Sequence, residues 1–290
     1  MAHVLSNGRN IWVEEAGEGE PLLLVMGLGG QLVDWPDELV DGLVAAGFRV
    51  IRFDNRDIGL SDSDDWAPPS TGQLALAMLS KRKKLDVGYY LSDMAADAVG
   101  VLEALDVDSA HVVGMSMGGM IAQTMAIEYP QTVRSLCSVM SNTGDRKNGR
   151  VAFSVLRKLV GAKPPTREEA PEVLTEQFSL WTGSAWRRDV HLERAKISVD
   201  RAWNPVGTAR QSAAITASPD RTPALRSLDV PTLVVHGTQD KLVLPSGGVA
   251  TVEAIPNARL VMFNDMGHDL PHTRNDELIS EIVQNTQRAT

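Results

Sequence analysis

The chain has 290 residues, 43% of them hydrophobic and 22% charged. That balance is typical of a soluble globular protein and excludes a disordered chain, a collagen-like repeat and a disulfide-stapled miniprotein. With 28 basic against 37 acidic residues the net charge is −9, so the chain repels phosphate backbones and nucleic acid is not an expected partner. The single cysteine, Cys137, permits no intrachain disulfide and fits a reducing compartment. No basic stretch precedes an apolar run at Met1-Ala2-His3-Val4, so no signal peptide is expected. Apolar runs of about six residues fall far short of the roughly 20 that cross a bilayer. The expectation is a cytoplasmic protein with no membrane partner.

In chain order, residues 4–15 read as an antiparallel hairpin turning at Ser6-Asn7-Gly8. The apolar run 21–26, stopped by Gly27, reads as a buried strand. Asp34-Trp35-Pro36-Asp37-Glu38 has the features of a helix start: a capping acid, an early proline and acids in the first turn. Leu39, Val40, Leu43 and Val44 supply that helix's apolar stripe, Gly47 ends it, and 48–53 is the next strand. Lys81-Arg82-Lys83-Lys84, the compact basic run, follows an apolar stretch and reads as a solvated helix end. Met94, Ala95, Ala98, Val99, Leu102 and Leu105 repeat at the spacing of a core-facing helix.

Further strands are predicted at 111–114, 133–140 (with Cys137 as a buried thiol), 232–236 and 260–263. Helices are predicted at 117–129, stopped by Pro130, and at 278–283. This alternation predicts an α/β fold whose sheet, of about eight strands, is mostly parallel and doubly wound. It breaks between residues 143 and 220, where helical patterns carry Phe153, Phe178, Trp181, Trp186 and Trp203 but no strand. That stretch is expected to be a helical cap (143–220) inserted into a core formed by 1–142 and 221–290.

Gly114-Met115-Ser116-Met117-Gly118 matches G-x-S-x-G, after a predicted strand and at the start of a predicted helix. Such a turn projects the serine Oγ into a cleft at a helix N-terminus, where free amides stabilise negative charge. Ser116 is therefore the candidate nucleophile, and a serine needs a base. Of the six histidines, His268 lies on a loop after the last predicted strand, in Asp265-Met266-Gly267-His268. His272 is the nearest rival. His236 at a strand end reads as locally bonded, and His111 as structural. The base in turn needs a carboxylate. Asp240 follows the strand 232–236 through Gly237-Thr238-Gln239, on the sheet edge where Ser116 emerges; Asp145 is the alternative. The order Ser116, Asp240, His268 matches the pattern Ser…Asp…His. Met26, Met115, Met117, Met120, Met262 and Met266 cluster near these motifs and read as adaptable core filler, some of it able to line an apolar pocket.

On these residues the sequence resembles the α/β-hydrolases, in particular the cap-bearing esterase and cofactor-free haloperoxidase-like branch, and is most similar to aclacinomycin methylesterase-type hydrolases. Val25-Met26-Gly27, Asp34-Trp35-Pro36, the D-x-R-x-x-G-x-S pattern from Asp54 to Ser61, the Ser116 turn, Pro231 to Asp240 and Gly267-His268 carry the likeness. It implies an oxyanion hole formed by the backbone amides of Met117 and Leu28. Met26-Gly27-Leu28 stands where the family has His-Gly-x, so a side chain that braces the loop is missing while the backbone donors are kept. Gly27, Gly29, Trp181, Trp186 and Trp203 are the expected substrate-binding residues, and Asp54 and Arg56 are expected to tie their loop. The resemblance implies a cofactor-free and metal-free hydrolase of a small to medium hydrophobic carboxylic ester. Serine at the turn sets the chain apart from haloalkane dehalogenases and epoxide hydrolases, which use aspartate there. Carbon–carbon bond, lactone or peracid chemistry, and a small-molecule receptor on the same scaffold, are the alternatives.

Overall fold

A computed structural model describes residues 1–79, 85–159 and 164–289; the basic run Lys81-Arg82-Lys83-Lys84 lies outside them. Its strands are β1 (Ala2–Ser6), β2 (Arg9–Ala16), β3 (Glu20–Val25), β4 (Phe48–Phe53), β5 (Ala110–Met115), β6 (Val133–Val139), β7 (Thr232–Gly237) and β8 (Arg259–Phe263). They form one 8-stranded sheet in the order β1-β2-β4-β3-β5-β6-β7-β8. The β1/β2 and β2/β4 pairs are antiparallel and every other pair is parallel. The opening hairpin turns through Asn7 (φ 49°) and Gly8 (φ 76°), both in the left-handed region that a two-residue hairpin turn requires.

The central strands are apolar on both sides because helices cover both faces. Alternate residues of β3 divide between two cores, as a period of two dictates. Leu23 and Val25 pack with Met94, Ala98 and Ile121 from the helices Leu91–Ala104 and Met117–Glu128. Leu22 and Leu24 pack with Leu39, Leu43, Leu278 and Ile282 from Asp37–Ala45 and Asn275–Thr286. Cys137 is a free, buried thiol in β6, and burial pushes its pKa up.

The helix expected from Asp34 begins instead at Asp37, with Pro36 in an extended conformation ahead of it. Asp34 closes a separate 3-10 turn, Leu32–Asp34, where its carboxylate accepts the Gln31 amide and the Ser198 hydroxyl. The capping acid is real, but it caps the wrong turn for the expected helix. The apolar stretch ahead of the basic run lies in the helix Thr71–Leu79, while the helices Thr222–Leu225 and Ser246–Ala254 were not expected.

Between β6 and β7 lie the helices Phe153–Leu159, Ala170–Phe178, Arg188–Arg201 and Pro205–Ala217, and no strand among the described residues. Phe153, at the start of the first of these helices, is 77% exposed. Among the described residues no helix is long and apolar enough to cross a membrane.

Candidate active site

β5 runs straight into the helix Met117–Glu128 through Ser116, which has φ 56° and ψ −118°. A non-glycine residue there costs about 1–3 kcal/mol and persists only where its surroundings impose it. The Ser116 amide donates to Val139 O at 2.9 Å, and Ser141 Oγ donates to Ser116 O at 2.8 Å. A Cβ on Gly114 would sit 2.1 Å from Gly118 O, so only a glycine allows strand and helix to meet this closely.

Parallel pairing of β7 with β8 sets the loops that follow them side by side. Thr238 N donates to Phe263 O and Gln239 N to Met266 O, which zips the two loops together. Asp240 and His268 therefore meet: His268 Nδ1–H donates to Asp240 Oδ2 at 2.7 Å. On the other side of the ring, Ser116 Oγ–H donates to His268 Nε2 at 2.9 Å. The carboxylate fixes the tautomer, leaving a lone pair on Nε2 for the serine proton. Asp240 Oδ1 accepts the amides of Leu242 and Val243. Burial pushes the Asp240 carboxyl up, but the charge on His268 and hydrogen bonds from His236 and His268 outweigh it, and its pKa lies below the usual carboxylate range.

The rival residues are elsewhere. His272 is exposed in the 3-10 turn His272–Arg274. Asp145 accepts Lys147 N and Asn148 Nδ2 in its own loop. His111 is buried between Ser135 Oγ and Glu20, and burial lowers its pKa.

Gly27 borders the serine: a Cβ on it would be 3.2 Å from Ser116 Cβ. The loop that carries Gly27, Leu28 and Gly29 is braced by residues the sequence reading missed. Asn55 Nδ2 donates to Met26 O, and Gln211 Oε1 accepts Gly29 N at 2.9 Å. These two bonds brace the loop in this chain. Leu28 lies on this loop and is 41% exposed, and Met117 is the first residue of the helix behind Ser116. Asp54 and Arg56 tie their loop as expected. Asp54 accepts the amides of Leu32 and Leu60 and pairs with Arg201, and Arg56 pairs with buried Asp97.

The segment between β6 and β7 bonds directly to the loops of the site. Trp181 O accepts His268 N at 2.8 Å. Asp269 Oδ1 accepts both Gly183 N and Gly267 N. Ala152 N donates to Lys241 O, beside Asp240. Trp181 is buried against Phe178, Trp186 packs on His191 with ring centroids 5.8 Å apart, and Trp203 is half-buried ahead of the helix Pro205–Ala217. Met26, Met117, Met120 and Met266 are buried core residues, while Met115 and Met262 are half-buried. Among the described residues no group of three or more His, Cys, Asp or Glu side chains is placed to hold a metal ion.

Residues 20–274 match the family described as alpha/beta hydrolase fold. The chain belongs to the α/β-hydrolase family. Rhodomycin D methylesterase DnrP of Streptomyces peucetius is 28% identical to it, over 97% of this chain and 96% of its own. The 2-hydroxy-6-oxononadienedioate/2-hydroxy-6-oxononatrienedioate hydrolase 1 of Pseudomonas putida is also 28% identical, over 89% of this chain and 85% of its own. Among solved structures, the esterase RhEst1 from Rhodococcus sp. ECU1013 superposes with a TM-score of 0.79 at 24% identity, covering 99% of this chain and 98% of its own.

Proposed function

We propose that this α/β-hydrolase cleaves a small to medium, hydrophobic carboxylic ester through Ser116, His268 and Asp240. Ser116 Oγ attacks the ester carbonyl while His268 Nε2 takes its proton, and Asp240 stabilises the imidazolium. The amides of Leu28 and Met117 hold the oxyanion; loss of one such donor costs about 3 kcal/mol in the barrier. His268 then protonates the leaving alkoxide, and the alcohol departs from an acyl-serine. Water, deprotonated by the same imidazole, attacks the acyl carbon. The acid leaves and Ser116 regains its proton.

The observation that carries this reading is the unbroken relay Ser116–His268–Asp240, at 2.9 Å and 2.7 Å. The likeness to a rhodomycin D methylesterase over nearly the full length of both chains supports ester chemistry. Residues 143–220 act as a cap, with Trp181, Trp186 and Trp203, together with Gly27 and Gly29, as the substrate-binding candidates. A second reading, carbon–carbon cleavage of a keto acid on the same relay, is favoured by the equal identity to the Pseudomonas putida hydrolase.

Short-chain nitrophenyl esters test the first reading. A burst of nitrophenol from the wild type, abolished in Ser116→Ala, is the expected result. Retained turnover in Ser116→Ala rejects the nucleophile. Faster turnover of a 2-hydroxy-6-oxo dienoate than of any ester would move the assignment to the second reading.

A further inference from the structure

His236 is the penultimate residue of β7, four residues ahead of Asp240, and its side chain is fully buried. Nε2 lies 2.8 Å from Val243 O and 3.3 Å from Asp240 Oδ2. Both neighbours are acceptors, so Nε2 carries the proton and shares it between them. Nδ1 is buried without a partner, and a Cβ built on Gly248 would sit 2.7 Å from it. The other buried strand histidine, His111, bonds through both ring nitrogens. A buried polar atom with no partner is costly, so an apolar side chain would fill the His236 site better if packing were its whole role. What an apolar side chain cannot supply is the donor that faces Asp240.

We propose that His236 is a positioning residue for the catalytic carboxylate, an inference that rests on the Ser116–His268–Asp240 reading. Asp240 takes donors on both oxygens: the amides of Leu242 and Val243 on Oδ1, and two imidazoles on Oδ2. The amides alone anchor one oxygen and leave the other free to swing about it. The His236 Nε2–H closes that freedom and keeps Oδ2 aimed at His268 Nδ1. Its remaining bond to Val243 O ties the same loop to the end of β7. His236 touches neither serine nor substrate and acts through Asp240.

The test uses the full chain, a fluorophosphonate that labels the active serine, and a nitrophenyl ester. His236→Phe is expected to slow labelling and kcat together by about 10- to 100-fold, the scale of a misplaced catalytic group, with KM unchanged. His236→Gln places an N–H near the position of Nε2 and is expected to recover most of that loss. Equal losses in the two variants, or a wild-type rate in His236→Phe, overturn the proposal. A wild type that fails to label, or a Ser116→Ala that still labels, removes the relay itself and this inference with it, an outcome the His236 variants cannot mimic. Should His236→Phe not fold, the 15N–1H imidazole spectrum of the wild type decides. The neutral Nε2–H form supports the proposal and the Nδ1–H form overturns it.

Discussion

Asp240 bonds to the His268 ring and Asp269 follows His268 in the chain; both are buried, and they do opposite work. Asp240 faces two imidazoles and two amides, and despite its burial the charge on His268 and the hydrogen bonds from His236 and His268 hold its pKa below the usual carboxylate range. Asp269 accepts two amides on Oδ1 and leaves Oδ2 buried without a partner. There burial prevails over the amides and the more distant histidines, and its pKa is raised. One carboxyl is kept as an anion in contact with the ring. The other clasps the His268 loop to the segment that carries Gly183. Residue type and depth are shared, so the decisive difference is a side chain within hydrogen-bond reach that gains when the carboxyl is charged.

The largest expected effect comes from removing the charge at Asp240. Asp240→Asn keeps the shape and an oxygen for the Leu242 and Val243 amides, yet it turns the His268 tautomer around. Ester turnover is expected to fall about 10⁴-fold, with a cooperative melt retained. Because the folded pKa of Asp240 is depressed, its charge is in place above the ordinary carboxylate value and is lost only as pH falls below it. Turnover measured down to about pH 5, where an ordinary carboxylate is still ionised, is therefore expected to show no loss attributable to Asp240. An Asp240→Asn variant with near-native turnover ends the relay reading.

A third buried acid sharpens the comparison because its partner is a permanent cation. Asp54, fully buried, meets Arg201 Nη1 at 2.7 Å, and the same nitrogen donates to Gln31 Oε1. Burial still raises the Asp54 pKa, ahead of the lowering by its amide donors and by Arg201. Arg201→Met leaves that carboxyl without its counter-charge, and removing one partner of a buried pair costs about 3–5 kcal/mol. The expected readout is a lower urea midpoint at unchanged slope. The double variant Asp54→Asn/Arg201→Met is expected to recover part of the loss. If Arg201→Met melts with the wild type, the pair does not hold this helix to the core.

What was legible in the sequence follows from the range of the forces involved. The strands expected at 21–26 and 232–236 show as unbroken apolar runs because both sheet faces are covered. Ser116 shows because its turn demands small neighbours next to it in the chain. His268 and Asp240 show because each follows a strand, and parallel neighbours deliver their loops to one edge. Asp34 misleads because its partners, Gln31 and Ser198, are set by a 3-10 turn and by a helix far along the chain. Asn55 and Gln211 leave no local trace: they act on backbone groups of the loop that carries Gly27, from sites 29 and 182 residues away. His236 was legible as locally bonded, but its contact with Asp240 needs the curl of the 237–243 loop. Phe153 shows that an apolar residue in a helical pattern need not find a core.

The smallest effect, and the most direct check on the opening contrast, is the slope of stability with pH. The folded pKa of Asp269 lies above its unfolded value, so between those two values the native state holds more protons than the unfolded chain. Raising pH through that window therefore costs the wild type stability, and lowering it restores stability. Asp269→Asn offers the same oxygen to Gly183 and Gly267 and does not titrate. Wild-type melting temperature minus that of Asp269→Asn is expected to fall as pH rises from just above the ordinary carboxylate value toward neutrality, and then to level. The corresponding difference for Asp240→Asn has the opposite slope, and its window lies below the ordinary value. Asp269→Ala separates clasp from charge, since it strands two amides at a cost of about 1–3 kcal/mol at every pH. A rising difference for Asp269→Asn would mean that the clasp is a stabilised anion like Asp240, and the contrast between the two carboxyls would then be one of position alone.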